Sequence, residues 1–174
     1  MEIKETIKRY LCPKEYVESI FGIDLDRLWQ RGIRALIIDL DDTLIPRREY
    51  SVPVTVFTWI QRLKEKGFEI YLASNGGRVP RVKYIVNSLQ IDGNALSFKP
   101  LPFAFRHALR VLEAPAERTA VIGDQLITDV LGGNIMGMYT VLVKPLSDET
   151  SLIRMPMRLL EEFLIRLLRL TPGI

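Results

Sequence analysis

The chain has 174 residues, 48% hydrophobic and 26% charged, with a formal net charge of +3 and a pI near 9.1. This is the balance of a folded, soluble single domain with short terminal additions, and it excludes a disordered chain. The lone cysteine, Cys12, excludes an internal disulfide and a multi-cysteine zinc site, so nothing argues for an oxidising compartment. No uncharged apolar run reaches the roughly 18 residues of a membrane span, and the charged start Met1-Glu2-Ile3-Lys4-Glu5 lacks a signal-peptide core. A cytoplasmic location is the expectation.

In chain order, residues 3–11 carry a weak apolar stripe of Ile3, Ile7, Tyr10 and Leu11, and residues 1–33 read as an N-terminal helical extension. A core is expected over 34–146. Its first strand, Ala35–Ile38, ends at Asp39. A helix follows over 52–66, with Val56, Trp59, Ile60 and Leu63 at helical spacing and Gly67 as its stop. The second strand, Phe68–Ala73, ends at Ser74, and a helix over 79–89 presents Val82, Ile85, Val86 and Leu89. Ala95–Phe98 reads as a third strand ending at Lys99, followed by a helix over 102–112. Thr119–Gly123 ends at Asp124 and leads into a helix over 125–136, and Tyr139–Val143 stops at Lys144-Pro145. Residues 147–174 read as a C-terminal amphipathic helix.

Short apolar runs without alternation fit strands buried on both faces, and their regular alternation with helices predicts an α/β fold. The expected architecture is a three-layer, Rossmann-like parallel sheet with helices on both faces. Asp39, Ser74, Lys99 and Asp124 are 35, 25 and 25 residues apart, close to the about 25–30 residues of one strand, one crossover helix and two loops. All four are therefore expected on the carboxyl edge of one sheet, where open α/β sheets bind ligands. The longer first interval leaves room for a short flap over 44–51, and no interval has room for a cap domain.

Asp39 and Asp41, two residues apart at a strand end, would repel each other in one cavity and call for a cation between them. Asp124 and Asp129 bring further carboxylate to the same edge. An oxygen-only donor set without histidine suits a hard ion, Mg²⁺ above others. The competing reading is that Asp39 or Asp124 only caps the next helix. Ser74-Asn75-Gly76-Gly77 offers a hydroxyl and amides at a helix start, suited to a phosphoryl group, although the same residues also make an ordinary turn. Lys99 at the end of an apolar run needs an anionic partner, either a structural carboxylate or a phosphate.

Asp39-x-Asp41-x-Thr43, then Ser74, then Lys99, then Gly123-Asp124-x-x-x-x-Asp129, in this order and on these elements, resembles the haloacid-dehalogenase-type phosphatase superfamily. The resemblance implies Asp39 as the nucleophile of an aspartyl-phosphate and Asp41 as general acid, then base. It implies Thr43, Ser74, Asn75, Gly76 and Lys99 around the phosphoryl group. Mg²⁺ would be held by Asp39, the backbone carbonyl of Asp41, and Asp124, with Asp129 supporting. Asp42 reads as a loop or capping residue. Without a cap, the resemblance is to the capless subclass. Pro13–Val17, Gly32-Ile33 and Thr128–Asn134 look like a bacterial branch of it that is similar to mitochondrial phosphatidylglycerophosphate phosphatases.

That likeness implies a phospholipid or other phosphomonoester substrate met at an anionic membrane surface, with a peripheral place on the inner face. Between Gly76 and Leu112 the only acid is Asp92, against Arg78, Arg81, Lys83, Lys99, Arg106 and Arg110. Such charge suits an anionic surface, although it also describes an ordinary solvated helix face. From Leu152 to Leu170 the charged residues gather on one helical arc and, Pro156 apart, the rest is Leu, Ile, Met and Phe. That segment could lie in a membrane interface, pack on the core, or join a second copy in a homo-oligomer. A soluble metabolite or phosphoprotein is the alternative substrate. A receiver-type phosphoacceptor module is a more distant reading, disfavoured because Lys99 stands where its acidic acceptor strand would end. A nucleic-acid partner is not expected, as no aromatic-basic strand face or zinc spacing accompanies the pI. His107, Trp29 and Trp59 read as structural, and Cys12 as unreactive.

Overall fold

The computed structural model describes residues 2–147 and 155–169. Six parallel strands form one sheet in the order β1-β6-β5-β2-β3-β4: β1 is Glu15–Val17, β2 Ala35–Ile38, β3 Glu69–Ala73, β4 Asp92–Asn94, β5 Thr119–Gly123 and β6 Tyr139–Val143. The helices are α1 (Glu2–Leu11), α2 (Leu25–Gln30), α3 (Val54–Glu65), α4 (Val79–Leu89), α5 (Pro102–Val111), α6 (Leu131–Ile135) and α7 (Met155–Leu168).

Central strand β2 is buried along its whole length and divides its side chains between two cores. Leu36 and Ile38 pack with Ile60 and Leu63 of α3 and with Ile85 and Leu89 of α4. Ala35 and Ile37 face Phe105 and Ala108 of α5. A parallel strand with helices over both faces has no solvent side, which explains the run of apolar residues. From β2 the chain moves outward through β3 to β4, then returns to place β5 on the other side of β2. The strand order therefore reverses between β2 and β5, and open sheets of this kind bind ligands at that reversal. Asp39 and Asp124 follow these two strands directly.

The third strand differs from the sequence expectation. Asp92–Asn94 pairs with β3, while Leu96 and Phe98 of the expected strand Ala95–Phe98 are exposed. Strand pairing uses backbone groups, and Gly93 permits it: a Cβ there would sit 2.8 Å from the Leu72 carbonyl oxygen. Lys99 accordingly lies in a loop beyond the strand, not at its end. Within residues 1–33, Glu15–Val17 adds an edge strand beside β6. The helix expected over 125–136 begins as a π-helical turn, Leu126–Val130, and continues as α6. From Pro46 to Pro53 the chain crosses to α3 as a short flap, and no cap domain interrupts the described residues.

Helix α7 packs on the core through Leu164 and Ile165, which meet Leu126, Val130, Leu142 and Tyr16. Glu161 belongs to this inward side, its Oε1 accepting a hydrogen bond from the Ile127 amide at 3.2 Å. Leu159, Leu160, Phe163 and Leu167 remain exposed. Residues 148–154 and 170–174 of the expected C-terminal helix lie outside the described residues.

Candidate active site

The Asp39 amide donates to the Ile122 carbonyl at 2.8 Å, carrying the β2–β5 pairing one residue past the strand. The chain then turns sharply. Leu44 and Ile45 amides donate to the Leu40 carbonyl, and Asp42 stands in the left-handed region with φ 64°, a conformation that Asp tolerates better than most residues. Asp42 anchors this turn: its Oδ1 accepts from the Ser147 hydroxyl at 2.6 Å, and its carbonyl from the Leu146 amide at 2.8 Å. These bonds leave Asp39 and Asp41 as the buried carboxylates facing the sheet edge.

Lys99 joins the two halves of the site. It is 5% exposed, and its Nζ lies 2.5 Å from Asp39 Oδ1 and 2.7 Å from Asp129 Oδ1. Asn75 holds its backbone reciprocally, donating to the Lys99 carbonyl at 2.8 Å and accepting from the Lys99 amide at 2.9 Å. The Asn75 side chain is thus committed to the lysine loop. Ser74 is fully buried; its hydroxyl donates to Asp41 Oδ2 at 3.1 Å and accepts from the Gly76 amide at 3.0 Å. Gly76 is required here, because a Cβ would overlap Asp41 Oδ2. The same is true of Gly123, where a Cβ would overlap the Asp129 carboxylate. The Thr43 hydroxyl donates to Asp124 Oδ1 at 3.2 Å.

Burial pushes the Asp39 carboxyl up to about 7; Lys99 opposes that shift, and Asp129 and Asp41 add to it. Asp124 is raised well above the ordinary carboxylate range, by burial first and then by repulsion from Asp39, Asp129, Asp42 and Glu161. For Lys99, burial favours the neutral amine, but attraction to Asp129 and Asp39 outweighs it and holds the ammonium charged. The floor thus carries more buried carboxylate than one lysine neutralises.

That surplus is what a hard divalent cation would relieve. Among the described residues no three side chains form a ready-made metal cage. Mg²⁺ needs less, since it keeps several waters and usually takes one or two carboxylates. Asp39 and Asp124, flanking the β2–β5 junction, with the Asp41 carbonyl, supply a donor set of the right chemistry. Asp129 is engaged by Lys99 and accepts from the Gln125 amide at 3.3 Å.

One residue of the site was read differently from the sequence. Arg81, grouped there with the basic residues of a membrane-facing surface, is 1% exposed. Its Nη1 lies 2.7 Å from Asp41 Oδ1. The available signal was its place on the buried stripe of α4, four residues before Ile85 and eight before Leu89. Arg78 is exposed and donates to the Arg47 carbonyl of the flap at 2.9 Å. Beside Lys99, a depression of about 340 Å³ is lined by Asn75, Leu96, Phe98, Lys99, Pro100 and Leu101.

Carboxylates, a buried serine and a paired lysine on the carboxyl edge of this sheet define a phosphatase of the haloacid-dehalogenase type. Residues 98–151 match the HAD-hydrolase-like family model. The chain is 36% identical over 147 residues to the "Probable phosphatase YqeG" of Bacillus subtilis, covering 84% of this chain and 85% of that protein. The chain belongs to the haloacid-dehalogenase-type phosphatase family. It is also similar, at 24% identity, to the phosphatidylglycerophosphate phosphatase 1 of Arabidopsis thaliana, over 93% of this chain and 49% of that protein. In fold it resembles a HAD phosphatase from Thermococcus onnurineus, with a TM-score of 0.56 at 15% identity over 74% of this chain and 99% of the other.

Proposed function

We propose that this phosphatase is a Mg²⁺-dependent phosphomonoesterase that works through an aspartyl-phosphate on Asp39, with phosphatidylglycerophosphate as its substrate. The observation that carries the reaction is the Asp39–Lys99 pair with Asp41 and Ser74 beside it. An Asp39 oxygen attacks phosphorus as the ester P–O bond breaks, and Asp41 gives its proton to the leaving oxygen. Asp41, now a carboxylate, takes a proton from water, which attacks the same phosphorus and releases Asp39 and inorganic phosphate. Lys99 and the Ser74 hydroxyl hold the phosphoryl oxygens, together with Thr43 and the amides of Asn75 and Gly76. Asp39, the Asp41 carbonyl and Asp124 would hold the Mg²⁺, with Asp129 supporting through Lys99. The bound ion supplies charge neutralisation, without which a carboxylate and a phosphate dianion repel. Two successive displacements each have a lower barrier than direct attack by water.

For the lipid, support comes from the likeness to the plant phosphatidylglycerophosphate phosphatase and from the rim of the site. Leu96, Phe98, Leu101 and Phe103 are exposed around the Lys99 loop, and Arg78 at the start of α4 and Arg106 in the first half of α5 are also exposed. Apolar groups interleaved with cations suit a bilayer of anionic lipid. With α7 they would place the enzyme peripherally on the membrane, which no helix among the described residues is long and apolar enough to cross. The test is phosphate release with Mg²⁺ from dispersed phosphatidylglycerophosphate against a panel of soluble phosphomonoesters, with Asp39→Asn as blank. Lipid turnover far above the panel is expected. Comparable turnover of soluble sugar phosphates would discard the lipid and keep the chemistry.

A further inference from the structure

Arg81 makes more contacts than a helix anchor needs. Besides its Nη1 bond to Asp41 Oδ1, its Nε donates to the Glu49 carbonyl at 2.7 Å and its Nη2 to the Pro46 carbonyl at 3.2 Å. Its Cζ lies 6.0 Å from the Tyr50 ring centroid. One guanidinium therefore joins α4, the first half of the flap and the carboxylate of Asp41. A buried cation is costly unless its donors are met, and two carbonyls with a carboxylate meet them. Either a helix contact or a flap contact would serve packing alone. The carboxylate taken as third partner is the one two residues beyond Asp39.

The geometry also divides the two oxygens of Asp41. Oδ1 faces Arg81, while Oδ2 lies 3.1 Å from the Ser74 hydroxyl, within the loop that receives a phosphoryl group, and has only the longer 3.9 Å approach of the partly exposed Arg47 Nη2 as a cationic neighbour. With Oδ1 fixed, Oδ2 is the oxygen left to carry and deliver a proton. Proton transfer demands hydrogen-bond reach, and a misplacement of about 1 Å can cost about 10²-fold in rate.

We propose that Arg81 is a positioning residue for leaving-group protonation: it fixes Asp41 with Oδ2 toward the phosphoryl site and ties that orientation to the flap backbone. The proposal rests on the phosphomonoesterase reading, but not on the lipid. It predicts an effect that depends on the leaving group. A dinitrophenolate departs without a proton, whereas an alkoxide needs one.

The experiment compares 2,4-dinitrophenyl phosphate with glycerol 3-phosphate and phosphatidylglycerophosphate, using the full-length wild type, Arg81→Lys and Arg81→Met. The alkyl-to-aryl ratio of kcat is expected to fall about 10²-fold in Arg81→Met, at the lower end of the usual share of general acid catalysis, with a smaller fall in Arg81→Lys. The ratio is taken within one sample, so it does not depend on the folded fraction. If Arg81→Met is insoluble, Arg81→Lys carries the comparison. Loss of alkyl and aryl turnover in equal proportion, or an unchanged ratio in both variants, would overturn the role of Arg81 alone. Wild-type protein inert toward all three esters would instead overturn the phosphomonoesterase reading beneath it.

Discussion

On the floor of the site, Asp39, Asp41 and Asp129 are shared between two buried cations, Lys99 and Arg81, whereas the rim carries exposed Leu96, Phe98, Leu101 and Phe103 with exposed arginines. The two regions meet at the Lys99 loop and differ in what their surroundings reward. Buried charge is tolerable only when paired, so each floor residue is fixed by its neighbours and few substitutions are neutral. Exposed apolar groups are held only by loose contacts such as the Phe98–Phe103 ring pair, whose centroids are 6.0 Å apart, and can vary with the substrate they meet. On the proposed reading, reaction type belongs to the floor and choice of ester to the rim.

The sharpest way to break that division is at the floor. Asp39→Asn is expected to remove turnover of lipid and soluble esters alike, by about 10⁴-fold or more, as for other enzymes that lose a nucleophile. Asp41→Asn should cost less, about 10²- to 10⁴-fold. It should also spare activated aryl esters, which Asp39→Asn should not. Phosphate release measured on one alkyl and one aryl ester separates the two roles. Normal activity in Asp39→Asn would sink the mechanism.

A second consequence of the crowded floor appears in pH-dependent stability. The Asp39 carboxyl is raised to about 7 by burial, which Lys99 opposes only in part and to which repulsion from Asp129 and Asp41 adds, against an ordinary value of about 3.9 in an unfolded chain. The folded protein therefore binds more protons than the unfolded chain between these values. The stability associated with the protonated form is fully present below about pH 4 and is lost as pH rises through about 7, by at most about 4 kcal/mol. In metal-free protein, the melting temperature should fall across that window through this group, and Asp39→Asn should flatten the fall. Added Mg²⁺ should restore stability most at high pH, where the carboxylates are ionised. Thermal unfolding from pH 5 to 9 checks this, and a metal-free curve that rises with pH equally in wild type and Asp39→Asn would contradict it.

What could be read from the sequence follows the same division. Asp39, Ser74 and Asp124 stood out because each directly follows a strand with apolar residues on both faces, and that apolar context makes a polar residue conspicuous. Lys99 stood out for a neighbouring reason, although its strand was misplaced. Leu96 and Phe98 looked like strand interior but are exposed, while Asp92–Asn94 forms the ladder through backbone groups alone. Edge strand β1 was hidden similarly, being three residues long with a charged first member. Arg81 was illegible as a site residue because its partner lies 40 residues upstream. A basic residue among other basic residues gives no local sign of burial beyond its register on the apolar stripe.

The rim offers the smallest expected effect and the cleanest separation of docking from folding. Phe98 is 54% exposed and has φ 55°, a left-handed conformation that is unfavourable for a bulky aromatic residue and routine for Asn. Phe98→Asn should therefore leave the melting temperature level or slightly raised. Paired with Phe103→Ser, which removes a second half-exposed ring, it deletes apolar area available to a lipid surface, worth about 1 kcal/mol per ring and roughly thirtyfold in partitioning for the pair. Sedimentation with anionic vesicles should fall by about that factor, and turnover of dispersed phosphatidylglycerophosphate with it, while dinitrophenyl phosphate hydrolysis is unchanged. If lipid and soluble turnover fell together, the rim would be part of the chemical machinery, and the division between floor and rim would be wrong. If neither moved, the ester would be chosen elsewhere, with the exposed face of α7 the next region to alter.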